Sequence, residues 1–540
     1  MKKLFILFLV TVAVLLQGCD DPLQDIKIQV STDDVLKYTY IAQIENAADG
    51  PLPEGLTVAF GGPDADKIID ASGNKLVEPV AGIVPMALMP GVVPSEANPV
   101  TFTMSLKAEG FVPMVRTITI TDTVSDIFGM AMLQLDNLPG GTGYVKSVFT
   151  DYVDPVTGAA KAPRALEIPA TADKPLAAKV EIASGTVFYD RNGNAITAGS
   201  DLDVQVVQYT DLDEGSLMAF PGGLTATEVI DEAGNPLPPV NFTTAGLAQI
   251  DMFIEGTEVK SFSKPLNVTI ELNENTLNPD NDYAQVAAGD SIPVWSMDDE
   301  TGVWKYEGMS VVQQNFATGK LEASMAVPHL SPWNWDWGWR PWWSWNPTCN
   351  AVVNVNSNNN TRSSSESYYC ELINVRNGQV LSATRRRLFN GERIWFNWIR
   401  RNTQVKMRVW SGNSWWNRGQ LLAESNTFNS CSSGDINIQL EQSQPVSITA
   451  IGRCSNNGSR ELRPGLRLWV KEPRGNFFSY RYIGRMRNGN ITINTRAIKL
   501  NQQYEFATVY RGRVYSHRTT LTSPVIEIDM DLPASVCSGL

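Results

Sequence analysis

Short runs in which apolar and polar residues alternate strictly recur along this chain, and they restrict it to strands. In Leu266-Asn267-Val268-Thr269-Ile270-Glu271-Leu272-Asn273 the four apolar side chains fall on one side of an extended backbone and the polar ones on the other. That two-residue period marks a half-buried strand. It returns in Lys27-Ile28-Gln29-Val30, Leu56-Thr57-Val58-Ala59, Val100-Thr101-Phe102-Thr103-Met104, Thr117-Ile118-Thr119-Ile120 and Val180-Glu181-Ile182. Turn residues punctuate the runs. Asp70-Ala71-Ser72-Gly73-Asn74, Asp190-Arg191-Asn192-Gly193-Asn194 and Asp231-Glu232-Ala233-Gly234-Asn235 share one grammar, in which Asp and Asn satisfy local backbone groups and Gly supplies a positive φ. Asp190, Asn192 and Asn194 also alternate like calcium donors, but the later bidentate acid of such a loop is missing. The expected class is therefore all-β. At 540 residues there is room for three or four domains of roughly 100–200 residues each.

The first residues give an address. Lys2 and Lys3 precede an apolar run from Leu4 to Leu16, shorter than the roughly 20 residues a span needs and ordered like an export signal. It ends in Leu16-Gln17-Gly18-Cys19, which resembles the lipobox of bacterial lipoproteins. The resemblance implies removal of residues 1–18, diacylglycerol on Cys19, acylation of the new amino terminus, and a membrane-anchored extracytoplasmic body. Asp20 and Asp21 resemble an inner-membrane retention signal. The periplasmic face of the inner membrane and the outer membrane both stay open, as do the oligomeric state and any protein partner.

The other five cysteines, Cys349, Cys370, Cys431, Cys454 and Cys537, lie in the last 200 residues at spacings unlike a metal site, and an oxidising compartment permits disulfides. Only two histidines, His329 and His517, are present. No phosphate-binding glycine loop, paired His-Glu-His motif or Gly-x-Ser-x-Gly elbow occurs. No metal, cofactor or enzymatic activity is expected, and an extracytoplasmic body has no nucleic acid to meet.

Charge divides the chain. Residues 1–345 carry 19 Lys+Arg and 45 Asp+Glu, whereas residues 346–540 carry 25 and 12, and 22 of those 25 cations are Arg. Such halves attract each other and dock, or the basic one meets an anionic envelope ligand or glycan.

Domain boundaries follow from these signals: a lipid anchor and tether at 19–25, a β-sandwich at 26–137, a Gly/Pro-rich linker at 138–175, a β-rich domain at 176–345, and two Ig-like repeats at 346–443 and 446–540. The repeat is visible in Asn390-Gly391 against Asn488-Gly489, and in Asn402-Thr403-Gln404 against Asn501-Gln502-Gln503. Units of about 95 residues with several short strands fit single sandwiches. Ala108-Glu109-Gly110-Phe111-Val112-Pro113, followed by the Ile-Thr alternation, resembles the closing strands of carboxypeptidase-regulatory-like sandwiches. Cys454 near the first strand of the second repeat and Cys537 after its last strand resemble the Cys-linked members of that family. The resemblance implies a Cys454–Cys537 bridge; Cys370–Cys431 would follow, leaving Cys349 over.

Candidate functional residues gather near the sign change. A hairpin with Trp295 and Trp304 around the acidic turn Asp298-Asp299-Glu300, followed by His329-Leu330-Ser331-Pro332-Trp333, resembles a module of cartilage-intermediate-layer-type extracellular proteins across residues 290–335. This implies a structural or adhesive role. His329-Leu330-Ser331 also resembles the cleavage triplet of autoproteolytic modules such as GAIN and ZU5 domains, in which Ser331 would attack the Leu330 carbonyl with His329 as base. Pro332 departs from that pattern, and a structural His329 is the simpler reading. Residues 333–345 hold seven of the 15 Trp, read as a plug between the acidic and basic halves or as a sugar- or membrane-facing surface. In the repeats, alternation points Lys406, Arg408 and Trp410 one way, and likewise Arg467, Trp469 and Lys471. These faces would grip an anionic, ring-bearing ligand or stack upon themselves. The expected function is binding, adhesion or structure at the envelope, with self-cleavage at Leu330–Ser331 and a purely architectural role as alternatives.

Overall fold

A computed structural model of the chain describes residues 28–31 and 38–532, except 49, 71–74, 76, 80–81, 96, 121–126, 339–347, 361–367, 387, 413–417, 441–443, 455–456, 464–466, 472–480, 496–497 and 511–512. Cys19 and Cys537 lie outside them, as do Trp339, Trp342, Trp343 and Trp345, and the side chains of Cys454 and Arg467 are not described. The expected Cys454–Cys537 bridge therefore falls outside the described residues. The protein is all-β, a series of tandem Ig-like sandwiches; among the described residues one short helix, Glu214–Met218, and one 3-10 turn, Ala65–Lys67, interrupt the strands. No described helix is long and apolar enough to cross a membrane. The chain divides into two compact units, one of residues 36–362 and 367–440, the other of 1–35, 363–366 and 441–540.

One sandwich plan recurs three times. In the first, Thr39–Asn46 runs antiparallel to Ile83–Leu88 and parallel to the last strand, Ile127–Met132. Thr57–Gly61, Val100–Lys107 and Met114–Ile120 form the facing sheet. In the third domain Thr348–Ser357 runs antiparallel to Arg393–Arg400 and parallel to the closing Ser433–Ile438. In the C-terminal unit Gln444–Cys454 does the same with Asn490–Thr495 and Val525–Leu532. Alternation explains each core: Ile44, Met86, Phe102 and Met104 fill the first, and Val353, Leu372, Phe396 and Met407 fill the third.

The domain between them is larger. A nine-stranded sheet runs Pro236–Leu237, Val229–Ile230, Trp304–Val311, Ser291–Met297, Pro332–Trp337, Thr243–Ile254, Leu202–Tyr209 and Gly143–Phe149, with Thr257–Glu258 paired to the side. A six-stranded sheet centred on Ser261–Glu271 contains Arg164–Ile168, Ala178–Ile182 and Leu321–His329. This corrects the linker expected at 138–175. Gly143–Phe149 pairs with Leu202–Gln208, and Arg164–Ile168 with Ala178–Ile182. Gly and Pro cluster around these strands and mask their alternation, while tertiary pairing holds them in place.

The turns at Asp190 and Asp231 have one geometry. Asp190 Oδ1 accepts from the amides of Asn192 and Asn194, and Asn194 Nδ2 donates to the other oxygen. Asp231 repeats this with Ala233 and Asn235. These hydrogen bonds occupy the carboxylates, as a turn requires, and no cluster of metal-binding side chains occurs among the described residues.

The disulfide in the third domain is Cys349–Cys431, with Cα atoms 5.3 Å apart, not the expected Cys370–Cys431. Register decides the choice. Parallel pairing of Val352 with Ser433 brings Cys349, near the start of its strand, beside Cys431, just before the closing strand. Cys370 alternates inward with Tyr368 and Leu372 and is buried in the core, where desolvation pushes its thiol up to about 12. The bridge closes a separation of 82 residues, for which the chain-entropy model gives about 4.5 kcal/mol. Cys349→Ser should therefore lower unfolding stability by roughly 2–4 kcal/mol in denaturant titration, while Cys370 stays unlabelled by maleimide until the domain unfolds.

Candidate functional site

The strand Pro332–Trp337 occupies the middle of the nine-stranded sheet, and all six residues are buried. It pairs with Thr243–Ile254 on one side and Ser291–Met297 on the other. Trp333, Trp335 and Trp337 enter the core between the two sheets with Leu266, Val294 and Val327. They are core residues within the middle domain, neither a plug between the charged halves nor an exposed sugar platform.

The alternate positions hold Asn334 and Asp336, both fully buried. Thr244 Oγ1 lies 3.3 Å from Asn334 Oδ1, and Asn334 Nδ2 donates to Asp336 Oδ2 at 3.1 Å. Trp295 Nε1 donates to the Asp336 carbonyl. Desolvation drives the Asp336 carboxyl well above the carboxylate range, outweighing the hydrogen bonds that favour its charge, and Oδ1 has no hydrogen-bond partner.

His329 ends one strand of the six-stranded sheet, two residues before Ser331. Its Nδ1 lies 3.2 Å from Ser331 Oγ, and its Nε2 lies 3.3 Å from Glu307 Oε1. The ring packs against Trp333 at 5.0 Å, and Trp333 Nε1 donates to the His329 carbonyl. Sequence reasoning paired His329 with Ser331 but missed Glu307, which reaches the ring from 22 residues away across a sheet and has no local signal. Burial works to raise the Glu307 carboxyl, but hydrogen bonds from His329, Ser296 and Lys305, with the Lys305 charge, hold it below its ordinary value. Every polar atom of the ring is thus engaged, as in a structural histidine.

Charged side chains join the third domain to the middle one. Arg418 bonds Glu214 of the middle domain and Glu371, the latter at 2.9 Å, and Glu371 is 1% exposed. The Arg418 guanidinium lies over Trp410 at 5.2 Å and Tyr369 at 5.9 Å. Arg400 pairs with Asp280 at 2.6 Å and donates to the Pro279 and Gly338 carbonyls. Arg376 pairs with Asp282 and covers the Tyr283 ring at 4.9 Å. Asn241 Nδ2 donates to the Leu381 carbonyl at 2.6 Å in a buried contact.

The ligand candidates fall into this setting. Lys406 and Arg408 both bond Glu424, at 3.1 and 2.9 Å, and Arg408 comes within 3.9 Å of Glu371. Trp410 is covered by Arg418. In the C-terminal unit Trp469 is only 5% exposed, although it stands outside the core that Leu468 and Val470 enter on either side of it. Lys471 lies 3.5 Å from Glu505.

The first sandwich is tied to the middle domain by apolar packing. Val112, Val115 and Leu133 of the one share a core with Phe220, Trp304 and Met297 of the other. Arg116, whose guanidinium burial brings down to about 10, donates to the Met218 carbonyl. The acidic hairpin turn docks here through Thr103 Oγ1 to the Glu300 carbonyl at 3.0 Å. Gly302, at φ +71°, fits because a Cβ would stand 2.4 Å from Thr103 and Thr117 side-chain atoms.

No protein-family model matches the chain, and no curated protein matches it. Among solved structures, a streptococcal ancillary pilin aligns with 46% of this chain and 93% of its own at 10% identity and a TM-score of 0.15. The full-length RrgB pilus protein from Streptococcus pneumoniae aligns over 90% and 93% at 8% identity and a TM-score of 0.13. The major pilin subunit BcpA of Bacillus cereus aligns over 92% and 99% at 9% identity and a TM-score of 0.12. At such scores the likeness carries no argument, and the assignment to tandem sandwiches rests on the strand pairings above.

Two substitutions test this picture. Arg418→Ala leaves Glu371 buried without its closest cation and should cost about 2–4 kcal/mol, read as a loss in chemical denaturation. A carboxyl whose pKa is raised on folding stabilises fully below its unfolded value, and that contribution is lost as pH rises through the folded value. Asp336→Asn removes this linkage, so the variant should gain stability relative to the wild type as pH rises above the ordinary carboxylate range, read by denaturant titration across pH.

Proposed function

We propose that this protein is an extracytoplasmic structural or adhesive lipoprotein, whose tandem sandwiches form a stiff body tethered by lipid on Cys19. The observation that carries the reading is the charged seam of Arg418, Arg400 and Arg376 on Glu214, Asp280 and Asp282. It commits three arginines of the basic half to joining domains. Lys406 and Arg408, candidates for gripping an anionic ligand, are both engaged by Glu424. Cys349–Cys431 supports an oxidising compartment. The lipobox at Leu16-Gln17-Gly18-Cys19 supports the tether, since several acyl chains at about 0.8 kcal/mol per buried methylene hold a soluble body to a bilayer.

Detergent-phase partitioning and mass spectrometry of the mature amino terminus test the tether. The wild-type protein should enter the detergent phase with an acylated Cys19. Cys19→Ser should stay in the aqueous phase with unchanged thermal unfolding, and equal partitioning of the two would refute the anchor. On denaturing gels the mature chain should run as one band, because His329 and Ser331 serve the sheet; two bands that merge in Ser331→Ala would instead establish cleavage.

A further inference from the structure

The third domain exposes two tryptophans that its fold does not need. Trp395 and Trp398 are 46% and 38% exposed and lie on the strand Arg393–Arg400, the edge of its three-stranded sheet. Between them the register shifts: Cys349 pairs with Ile399 and Ala351 with Phe396. Asn397 and Trp398 share the space of one residue, and Trp398 sits at φ +63°. That conformation is costly for a bulky aromatic, and strain of this kind clusters at functional sites. The bulge keeps both Phe396 and Ile399 in the core while Trp398 and Asn397 face solvent, the re-aiming that β-bulges perform.

The rest of this face is polar in an unusual way. Thr348–Ser357 places Asn350 and Asn356 outward, and Ser433–Ile438 adds Asp435 and Asn437. Asn is depleted in strands. Its recurrence around two exposed indoles breaks local preference where packing gives no reason. Arg393 covers one part of Trp395, its guanidinium 4.9 Å from the ring centroid.

The second repeat supplies an internal control. Its corresponding strand, Asn490–Thr495, pairs with Gln444–Cys454 without a bulge and carries Thr492 outward. The same sandwich plan therefore closes without tryptophans on this strand.

We propose that this outer sheet face binds a flat, β-1,4-linked glycan. Trp395 and Trp398, about 7 Å apart along the strand, would each stack against the C–H face of a sugar ring, and the surrounding Asn side chains, with paired donors and acceptors, would hold the hydroxyls. The inference deepens the adhesive side of the function proposed above and rests on its extracytoplasmic placement. Isothermal titration calorimetry of the full mature chain with hexasaccharides of β-1,4-linked glucose, N-acetylglucosamine and mannose tests it. At least one should bind. Trp395→Ala should weaken that binding roughly tenfold or more, with melting temperature and near-ultraviolet dichroism showing the chain folded. Asn397→Ala should weaken it less, and Phe316→Ala, an exposed aromatic of another domain, should leave it unchanged. Should Trp398→Ala fail to fold, Trp395→Ala alone decides. Binding of none of the three sugars, or equal affinity in wild type and Trp395→Ala, overturns the proposal. Partitioning of Cys19→Ser is unaffected by either result, so failure of the glycan site and failure of the lipoprotein reading remain distinguishable.

Discussion

The middle domain depends on burying Pro332–Trp337 through both of its faces. Three indoles fill the space between the sheets, and the other side of the strand turns toward a second core built on Trp295, Phe242 and Trp304. Large aromatic areas removed from water dominate the energetics of such a core. They also carry a cost: Asn334 and Asp336 are drawn into the interior with them, and desolvation there raises the Asp336 carboxyl well above its ordinary value. The second core extends into the first sandwich through Val112, Val115 and Leu133. One tryptophan-centred framework thus both stabilises its own domain and fixes a neighbour.

The other neighbour is held by different means. Between the middle and third domains the contacts are mostly ionic and hydrogen-bonded, with Arg418 drawn to two carboxylates and two aromatic rings. Arginine suits this position because its planar guanidinium stacks and forms several bonds at once. Exposed pairs such as Lys406–Glu424 contribute little. Glu371 is different, since a buried carboxylate depends on its cation. The first three domains are thus joined by one apolar and one charged contact.

Much of the architecture was legible in the sequence. Period-two alternation identified Val100–Lys107 and Ser261–Glu271, and shared Asn-Gly and Asn-x-Gln turns exposed the repeat. Trp335 and Trp337 were legible as one face of a strand, but not as core, because seven clustered tryptophans suit a surface or an interior equally well. Glu307 beside His329 carried no local mark. Trp469 alternates away from Leu468 and Val470 yet is buried, which local pattern does not show, and at Trp398 a bulge resets the alternation of its own strand. The Cys370–Cys431 pairing failed because a disulfide is chosen by register, which composition does not encode.

What the sequence by itself determined is the set of strands, their turns and the opposition of charge along the chain, since these are properties of neighbouring residues and the pleat that alternates them. Which strand lies beside which was decided only by tertiary structure. That choice made Cys431 the partner of Cys349, turned the acidic and basic segments onto each other through Arg418, and sent Trp333 inward while leaving Trp395 in water. The reason is physical: pairing is settled by the total area and polarity buried when sheets close on one another, a sum over residues far apart in the chain.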